Sequence, residues 1–451
     1  MKRIVILGGG ESGAGTAVLA RKEGFDTFLS DSGVIAPRYR EMLREHDIAF
    51  EEGGHTPELI LSADEVVKSP GIPDKAPIVE KIREKGIPVI SEIEFAGRYC
   101  KGRTICITGS NGKTTTTTLT YEILKNAGYN VALGGNIGES FAYKVATGGA
   151  DWYVLEISSF QLDGMFDFRA SIAVLMNITP DHLDRYDYDL QRYVESKFRI
   201  IRNQTARDYF IYGGDDPLIK KNLKRRDLAM HLLPFSVRRQ LCPGGSADDE
   251  IFKVCVGLRC FIEPLGRMKI KGIHNTYNAM AASMAALAAG VDKDVIASTL
   301  ESFGGVEHRL EPVGTFGGVE WINDSKATNV DSVWYALDSM TKPVVWIAGG
   351  TDKGNDYTPL LELARTKVKR LVCMGTDNEK LIKAFTGVVP RIVDTHSLDE
   401  AMHACREAAV PGDAVLLSPA CASFDLFKNY EERGRQFKDW IKENGTERTK
   451  S

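Results

Sequence analysis

The hydrophobic positions of the chain come in short runs separated by longer amphipathic stretches. Near the start, apolar runs at residues 4–7, 27–29, 65–68 and 88–90 alternate with stretches of helical periodicity. Strands that alternate with helices in this way predict a parallel sheet covered by helices. We therefore expect residues 1–92 to form one α/β domain.

The same alternation predicts two further α/β domains, at residues 93–305 and 306–451. The second block has apolar strands at 104–107, 152–156 and 172–176, and short runs around Gly and Pro at 251–270 that predict β-hairpins. The third block has strands at 319–323, 344–348, 370–374, 391–393 and 414–417. A chain of 451 residues exceeds what one hydrophobic core usually organises. We expect an α/β protein with a Rossmann-like N-terminal domain, a central P-loop ATPase-type parallel sheet and a Rossmann-like C-terminal domain.

Composition narrows the possible partners. With 43% hydrophobic and 26% charged residues and a net charge of −4, the chain is typical of a soluble globular protein. This charge gives no reason to expect nucleic acid or an anionic membrane as a partner, and no apolar run approaches the roughly 20 residues of a membrane span. We expect a cytoplasmic monomer. The eight cysteines contain no Cys-x-x-Cys pair, and we expect reduced, mostly buried thiols.

The clearest chemical signal is the Gly-rich turn that follows the strand at 104–107. Gly109 and Gly112 permit a backbone that points its N–H groups inward, Lys113 can reach outer phosphates, and Thr114 can offer a hydroxyl to Mg²⁺. In the general phosphate loop the lysine comes six positions after the first glycine, and the residue six positions before Lys113 is Ile107. The shorter form still favours phosphate binding over an ordinary turn, because a lysine and several hydroxyls serve no packing purpose.

A second Gly-rich turn follows the first strand. Gly8, Gly10 and Gly13 fit Gly-x-Gly-x-x-Gly, and Asp31 follows the next strand, where a ribose-binding acid would lie. The pattern fits a dinucleotide cofactor or any other pyrophosphate, including that of a UDP-sugar, and Asp31 could equally belong to a polar turn. The rigid turn at residues 69–73 ends another strand at the predicted ligand edge of the sheet.

Several polar residues in the second block lie at strand ends or helix starts. Glu156 closes an apolar strand, where it could hold Mg²⁺ or be a solvated strand end. His182 follows the next strand and is a candidate ligand or a surface histidine. Lys197 lies on an amphipathic helix, where a lysine is normally on the solvated face; it gains interest only if it points into the metal site, because burial would lower its pKa and permit carbamylation. Asn275 and Asn278 share one helix face, as caps or as readers of an adenine edge.

Polar clusters follow three strands of the third block. They occupy residues 323–329, 349–353 and 418–425. Because packing does not explain this repetition, we expect three ligand-facing loops on one sheet edge.

Residues 108–115, Thr-Gly-Ser-Asn-Gly-Lys-Thr-Thr, resemble the ATP loop of the Mur ligases, the cell-wall peptide-adding enzymes, and of their folylpolyglutamate synthase relatives. The resemblance runs over essentially the whole chain in three blocks with the family's order and spacing. Residues 321–329 and 417–434 are most similar to those of the D-glutamate-adding members.

The resemblance implies roles for the residues named above and for several others. ATP contacts would come from Gly109, Ser110, Asn111, Gly112, Lys113, Thr114, Thr115, Asn275, Asn278, Arg309 and Asp324. UDP-sugar contacts would come from Ser12, Asp31, Ser32, Ser69, Gly71 and Asn136. D-glutamate contacts would come from Thr328, Lys353, Ser423, Phe424 and Tyr430. Metal ligands would be Thr114, Glu156, His182 and carbamylated Lys197, and the catalytic set would be Lys113, Asn136, His182, Lys197 and Lys326.

The implied reaction is ATP-dependent addition of D-glutamate to UDP-N-acetylmuramoyl-L-alanine. Two Mg²⁺ ions would assist, and Mn²⁺ could replace them. Three alternatives stay open at this point: a sister ligase for another amino acid, an NAD-dependent oxidoreductase that uses Gly8 to Gly13, and a non-catalytic nucleotide switch.

Overall fold

A computed structural model describes residues 1–444 of the chain. Their contacts form two compact units, the first made of Met1–Lys269 with Asn275–Phe303 and the second of Ile270–His274 with the chain from Gly304 onward. The first unit contains a five-stranded and a nine-stranded sheet, and the second a six-stranded sheet. The predicted α/β class is confirmed, while the boundaries of the three predicted domains stay predictions.

The five-stranded sheet is parallel and has the order β3-β2-β1-β4-β5. Residues 4–7 of β1 are fully buried, as expected of a strand covered on both faces. Its strands are β1 (Arg3–Leu7), β2 (Asp26–Ser30), β3 (Ala49–Glu51), β4 (Glu65–Lys68) and β5 (Val89–Ile90). Its helices are α1 (Glu11–Lys22), α2 (Pro37–Glu45), α3 (Pro57–Ile60), α4 (Pro77–Glu84) and α5 (Glu92–Gly97).

The strand order of this sheet reverses at β1, because β2 lies on one side of it and β4 on the other. A crevice forms at such a reversal, outside the carboxyl ends of the two strands. The turn at residues 8–13 follows β1, and the turn at 69–73 follows β4, so both predicted UDP-sugar segments lie at this crevice. A Cβ at Gly13 would lie 1.8 Å from the carbonyl oxygen of Gly8, so α1 can approach the turn this closely only with glycine.

The nine-stranded sheet has the order β14-β13-β12-β11-β10-β9-β6-β8-β7. Its strands are β6 (Arg103–Thr108), β7 (Val131–Gly135), β8 (Trp152–Glu156), β9 (Ile172–Leu175), β10 (Tyr209–Gly213), β11 (His231–Ser236), β12 (Gly244–Ala247), β13 (Ile251–Val256) and β14 (Arg259–Pro264). The helices of this block are α6 (Lys113–Asn126), α7 (Phe141–Thr147), α8 (Ser159–Asp163), α9 (Leu190–Phe198), α10 (Pro217–Leu223), α11 (Ile273–Ala289) and α12 (Lys293–Ser302), with 3₁₀ turns at Leu183–Tyr186 and Arg199–Ile201. The strand before the phosphate loop, β6, lies between β8 and β9 and is parallel to both.

The hairpin predicted near residues 251–270 is present as β13 and β14, and it corrects one expectation. Cys255 and Cys260 lie directly opposite each other on the two strands and form a disulfide, so these two thiols are not reduced. The pairing was missed because it depends on the register of the hairpin, which the spacing of cysteines alone does not reveal.

The six-stranded sheet of the second unit has the order β15-β16-β20-β17-β18-β19. Its strands are β15 (Glu311–Phe316), β16 (Val319–Asn323), β17 (Val344–Gly349), β18 (Val368–Met374), β19 (Ile392–Thr395) and β20 (Ala414–Ala420). Its helices are α13 (Val330–Ser339), α14 (Leu361–Lys367), α15 (Glu379–Phe385), α16 (Leu398–Ala408) and α17 (Tyr430–Asn444), with a 3₁₀ turn at Thr358–Leu360. Strands β16, β20 and β17 are neighbours and parallel, so the three predicted polar loops do leave one edge of the sheet.

Candidate active site

The phosphate loop joins β6 to α6 through two glycines with positive φ. Gly109 has φ +152° and Gly112 has φ +83°, a left-handed conformation that only glycine adopts readily. A Cβ at Gly112 would lie 2.5 Å from Asn278 Oδ1. The first turn of an α-helix presents N–H groups that the helix itself does not use. The start of α6 is therefore shaped as an anion cradle.

The middle of this loop is held by groups that follow β9. The Ser110 N–H donates to the Asn177 carbonyl at 3.0 Å, and the Asn111 N–H donates to Asn177 Oδ1 at 2.8 Å. The Ser110 hydroxyl donates to the Thr179 carbonyl at 2.8 Å and lies 3.0 Å from Tyr193 Oη. The side chain of Ser110 thus braces the loop. Sequence reasoning missed Asn177, Thr179 and Tyr193, for which only the strand-end position of residue 177 gave a signal.

The two lysines of the site both bond to loop carbonyls. Lys113 Nζ donates to the carbonyl oxygens of Gly109 and Ser110, each at 2.8 Å. Lys197 Nζ donates to the Gly109 carbonyl at 2.9 Å and to Thr108 Oγ1 at 3.2 Å. Both lysine side chains therefore donate to the Gly109 carbonyl.

Lys197 is almost completely buried, with 2% of its surface exposed. Burial, followed by the charge of Lys113, holds the pKa of Lys197 well below its usual range, although Asp181 and Glu156 act in the opposite direction. Of the two possibilities for this lysine, a solvated helix face is therefore wrong. The neutral amine that burial favours is also the form that reacts with CO₂.

The candidate metal ligands come from the ends of adjacent strands and the start of α6. Glu156 is buried at the end of β8, and the side-chain amide of Asn136 donates to its Oε1 at 2.8 Å. Thr114 is buried in the first turn of α6. His182 follows β9 in a left-handed conformation, and its ring centroid lies 5.2 Å from that of Phe160. The order β8-β6-β9 brings these segments to one edge.

The two asparagines of α11 form a small network with α6. Asn278 Nδ2 donates to Asn275 Oδ1 at 3.1 Å, and the Thr116 hydroxyl donates to Asn278 Oδ1 at 3.2 Å. Asn278 therefore joins α11 to α6 within the first unit. Its predicted contact with adenine stays a prediction.

At the crevice of the five-stranded sheet, Asp31 holds the glycine turn in place. Asp31 Oδ2 accepts from the Gly9 N–H at 2.5 Å, and its Oδ1 accepts from the Gly33 N–H at 2.7 Å. Ser69 Oγ lies 3.5 Å from the Gly8 carbonyl. Of the other residues predicted here, Ser32 and Gly71 are exposed and Ser12 is half-buried. The contacts that Asp31 makes within the protein are therefore those of a residue in a polar turn.

Asp324 is the most perturbed acid of the second unit's loop edge. Burial raises the pKa of Asp324 to about 7, against the lowering effect of Arg309. The Ser418 hydroxyl donates to Asp324 Oδ2 at 2.8 Å, and the Leu310 N–H donates to Oδ1 at 3.2 Å. Asp324 therefore ties the loop after β16 to β20.

Arg433 braces two of the loops from behind and was missed by the sequence analysis. It is 1% exposed, and its guanidinium donates to Ser325 Oγ at 3.0 Å, to the Ser325 carbonyl at 2.8 Å and to the Cys421 carbonyl at 3.4 Å. Residues 431–435 at the start of α17 are mostly charged, so the sequence gives no sign that the arginine among them is buried.

The remaining predicted residues of this unit lie on the same loops, except Tyr430, which is the first residue of α17. Lys326 Nζ lies 5.1 Å from the ring centroid of Tyr430, and the Thr328 N–H donates to the Lys326 carbonyl. Ser423 is buried, whereas Lys353 is exposed and Phe424 is 74% exposed. A bridge between Thr351 and Ala422 joins the loops after β17 and β20.

The residues present fit a magnesium–nucleotide ligand. A hydroxyl and a carboxylate, the oxygen donors that Mg²⁺ prefers, and an imidazole lie at or after the ends of three adjacent strands. Asn278 Oδ1 leaves no room for a side chain at Gly112, so a glycine is needed at this point of the loop. The ammonium form of Lys197 is not a metal ligand, but its carbamate would be one.

Comparison with known families gives three consecutive matches along the chain. The Mur ligase MurD-like N-terminal domain matches residues 2–91, the Mur ligase middle domain residues 107–286, and the Mur ligase glutamate ligase domain residues 308–421. Within residues 1–444, no helix has the length and apolar character needed to cross a bilayer.

Curated relatives are similar over nearly the full chain. A UDP-N-acetylmuramoylalanine–D-glutamate ligase of Bacteroides fragilis is 54% identical over 98% of this chain and 100% of its own length, and one of Bacteroides thetaiotaomicron is 53% identical with the same coverage. Among solved structures, UDP-N-acetylmuramate–alanine ligase MurC of Thermotoga maritima has a TM-score of 0.62 at 19% identity, covering 98% of this chain and 99% of that one. At that identity the structural likeness shows the fold alone. The chain therefore belongs to the Mur ligase family, whose members are ATP-dependent ligases that form carbon–nitrogen bonds.

Proposed function

We propose that this protein joins D-glutamate to UDP-N-acetylmuramoyl-L-alanine with conversion of ATP to ADP and phosphate. The observation that carries the proposal is the 54% identity to a D-glutamate ligase over essentially both full lengths. The match of the glutamate ligase domain to residues 308–421 supports it, since those residues contain two of the three polar loops of the second unit and the start of the third. Family membership also argues against the oxidoreductase and the nucleotide switch.

The chemistry must activate a carboxylate, because a carboxylate is a poor electrophile. In the proposed reaction an oxygen of the L-alanyl carboxylate attacks the γ-phosphorus of ATP, and the bond to ADP breaks. The amine nitrogen of D-glutamate then attacks the acyl carbon of the acyl phosphate, loses a proton, and expels phosphate. Binding both substrates beside each other removes most of the entropic cost of this encounter.

This chain's own residues supply charge and orientation for the first step. Lys113 and the N–H groups at the start of α6 offset the negative charge that accumulates around the transferred phosphoryl group. Asn136 orients Glu156 through its 2.8 Å hydrogen bond. Bound Mg²⁺, as two ions or with Mn²⁺ in their place, supplies Lewis-acid stabilisation, and Thr114, Glu156, His182 and carbamylated Lys197 would hold it.

The second unit supplies the amino-acid side in this proposal. Thr328, Lys353, Ser423, Phe424 and Tyr430 would surround D-glutamate, while Arg309, Asp324 and Lys326 would serve the nucleotide. Asn275 and Asn278 would contact adenine, and Ser12, Asp31, Ser32, Ser69 and Gly71 the UDP-sugar.

The test is phosphate release from ATP with each of four amino acids, each supplied with its own UDP-linked precursor, which for D-glutamate is UDP-N-acetylmuramoyl-L-alanine. We expect release with D-glutamate, and at least about 100-fold less with L-alanine, L-lysine or diaminopimelate. Release with L-lysine or diaminopimelate instead would identify a sister ligase. ATP binding without release with any of the four would contradict the proposal.

A further inference from the structure

Arg185 connects two segments that the proposed function assigns to different ligands. One is the turn at residues 69–73, proposed to bind the UDP-sugar, and the other is the loop that carries His182. The Arg185 guanidinium donates to the carbonyl oxygens of Pro70 and Ile72, each at 3.4 Å. The backbone N–H of Arg185 donates to the His182 carbonyl at 3.0 Å.

A shared aromatic ring adds a second connection between Arg185 and His182. The Arg185 guanidinium lies 4.4 Å from the centroid of the Phe160 ring, and the imidazole of His182 contacts the same ring at 5.2 Å. A cation over an aromatic face is attracted to it, so the ring fixes both side chains relative to each other.

The loop itself has a backbone that outside contacts must hold. His182, Asp187 and Tyr188 all have φ between 54° and 57°, a region that costs energy for residues other than glycine. Lys75, which follows the 69–73 turn, bonds to Asp187 Oδ1 at 2.5 Å. Both ends of the loop therefore depend on contacts with the segment that follows β4.

The 69–73 turn is in turn packed against the glycine turn. A Cβ at Gly8 would lie 2.6 Å from Ser69 Oγ and 3.4 Å from Ile72 Cδ1. Lys68 Nζ also donates to the Ile72 carbonyl at 2.7 Å. A ligand that holds the glycine turn against the 69–73 turn would therefore also fix the carbonyl groups of Pro70 and Ile72, to which Arg185 donates.

From this continuous set of contacts we infer that Arg185 is a positioning residue that couples occupation of the UDP-sugar crevice to the placement of His182 for metal binding. The inference rests on the proposed function, because it takes the UDP-sugar and metal sites from it. Coupling between two sites is reciprocal, so each ligand must raise the affinity for the other by the same factor.

The experiment measures Mn²⁺ binding to the full chain from the free-ion EPR signal, with and without saturating UDP-N-acetylmuramoyl-L-alanine. In the wild type we expect the UDP-compound to tighten Mn²⁺ binding by about fivefold or more, and Mn²⁺ to tighten binding of the UDP-compound equally in calorimetry. Arg185→Ala should reduce both factors to about 1, while the affinity for ADP stays within about twofold.

Arg83→Ala is the matched control. Arg83 and Arg185 line the same cavity of about 1040 Å³, but the salt bridge of Arg83 is to Asp74 at 3.1 Å, and it is half exposed. This control should keep the wild-type factor. If Arg83→Ala loses the coupling as well, the effect belongs to the cavity in general and the assignment to Arg185 is overturned.

Two further outcomes decide the inference. If Arg185→Ala does not fold, Arg185→Lys replaces it: lysine keeps the charge but cannot place a planar fork over the ring and two carbonyls, so partial loss of coupling is expected and full retention refutes the role. An active wild type with no coupling, or with coupling that survives in Arg185→Ala, overturns the inference alone. A wild type that neither binds the UDP-compound nor releases phosphate overturns the proposed function with it.

Discussion

Lys197 in the first unit and Arg433 in the second are both buried cations that bond to the carbonyls of ligand-facing loops. Lys197 bonds to Gly109 and Thr108, and Arg433 bonds to Ser325 and Cys421. Burial lowers both pKa values, but that of Arg433 falls only to about 10, whereas that of Lys197 lies well below its usual range. Arginine therefore remains charged at neutral pH, while lysine can give up its proton.

The difference between these two pKa values suits Arg433 to a structural role and Lys197 to the proposed chemical role. A guanidinium that stays charged can hold two loops together with several donors in one plane. A buried amine that loses its charge can become a carbamate and so change from a cation to an anionic ligand. Similar burial thus leads to opposite consequences.

Removing Lys197 should give the largest effect. We expect Lys197→Ala to lower kcat by about 100-fold or more, because the proposed carbamate ligand of the metal is lost, and we expect short carboxylic acids to restore part of the rate. Phosphate release with and without added formate or acetate measures this. Lys197→Arg, which keeps a cation that cannot be carbamylated, should stay inactive with either acid. Full activity of Lys197→Ala without additive would refute the role.

Removing Arg433 should lower the stability of the fold, whereas Lys197→Ala should lower the rate of the reaction. Arg433→Ala leaves the buried carbonyls of Ser325 and Cys421 without these donors, and we expect the free energy of unfolding to fall by about 3 kcal/mol. Urea unfolding followed by tryptophan fluorescence measures the change. Arg433→Lys should lose less, and carboxylic acids should restore neither variant. Rescue by acetate would show that the comparison between the two cations is wrong.

The buried acid Asp324 should give a pH-dependent stability of opposite sign to that of an ordinary surface acid. Because its pKa rises from 3.8 to about 7 on folding, the folded state binds the extra proton, and stability present below pH 4 is lost as the pH rises through 7. We expect Asp324→Asn to remove a slope on the order of 1 kcal/mol per pH unit between pH 5 and 7. Urea unfolding at several pH values measures it.

Asp352 in the same unit is the matched control. Its pKa is lowered despite partial burial, because Lys380 and Tyr357 donate hydrogen bonds to it, so its contribution is lost as the pH falls. Asp352→Asn should therefore leave the slope between pH 5 and 7 unchanged. An unchanged slope in Asp324→Asn would show that Asp324 is not the group that titrates.

The smallest expected effect concerns the acceptors of Lys197. Thr108→Val removes one neutral acceptor of the ammonium, so the pKa of Lys197 should fall further and carbamate should form at slightly lower pH, by less than about one unit. The ¹³C NMR signal of the carbamate from labelled bicarbonate measures this. Thr104→Val, the same change on the same strand at a hydroxyl bonded elsewhere, should leave the titration unchanged. A shift to higher pH in Thr108→Val would contradict the argument.

The strands that the sequence predicted well are the continuous apolar runs. Residues 4–7, 65–68 and 319–323 reappear as β1, β4 and β16 with shifts of at most one residue. One strand that it missed, β10, does contain an apolar run, but three others lack one: β3 has three residues that are not buried, β12 reads Gly-Gly-Ser-Ala, and β15 contains Pro312 and Gly314. In these segments backbone pairing with a neighbour, rather than the local pattern, makes the strand.

The site divides in the same way. Consecutive residues determined the phosphate loop, because two glycines, a lysine and the start of a helix suffice for a local anion cradle. The sequence also placed three polar loops at strand ends, and parallel neighbours necessarily share an edge. Only the tertiary structure decided that Lys197 and Arg433 are buried, that Asp324 retains a proton near neutral pH, and that Arg185 bridges two loops 115 residues apart in sequence. Burial and long-range contacts depend on which surfaces of the fold pack together, and the residue order within one helix or loop does not reveal which surfaces these are.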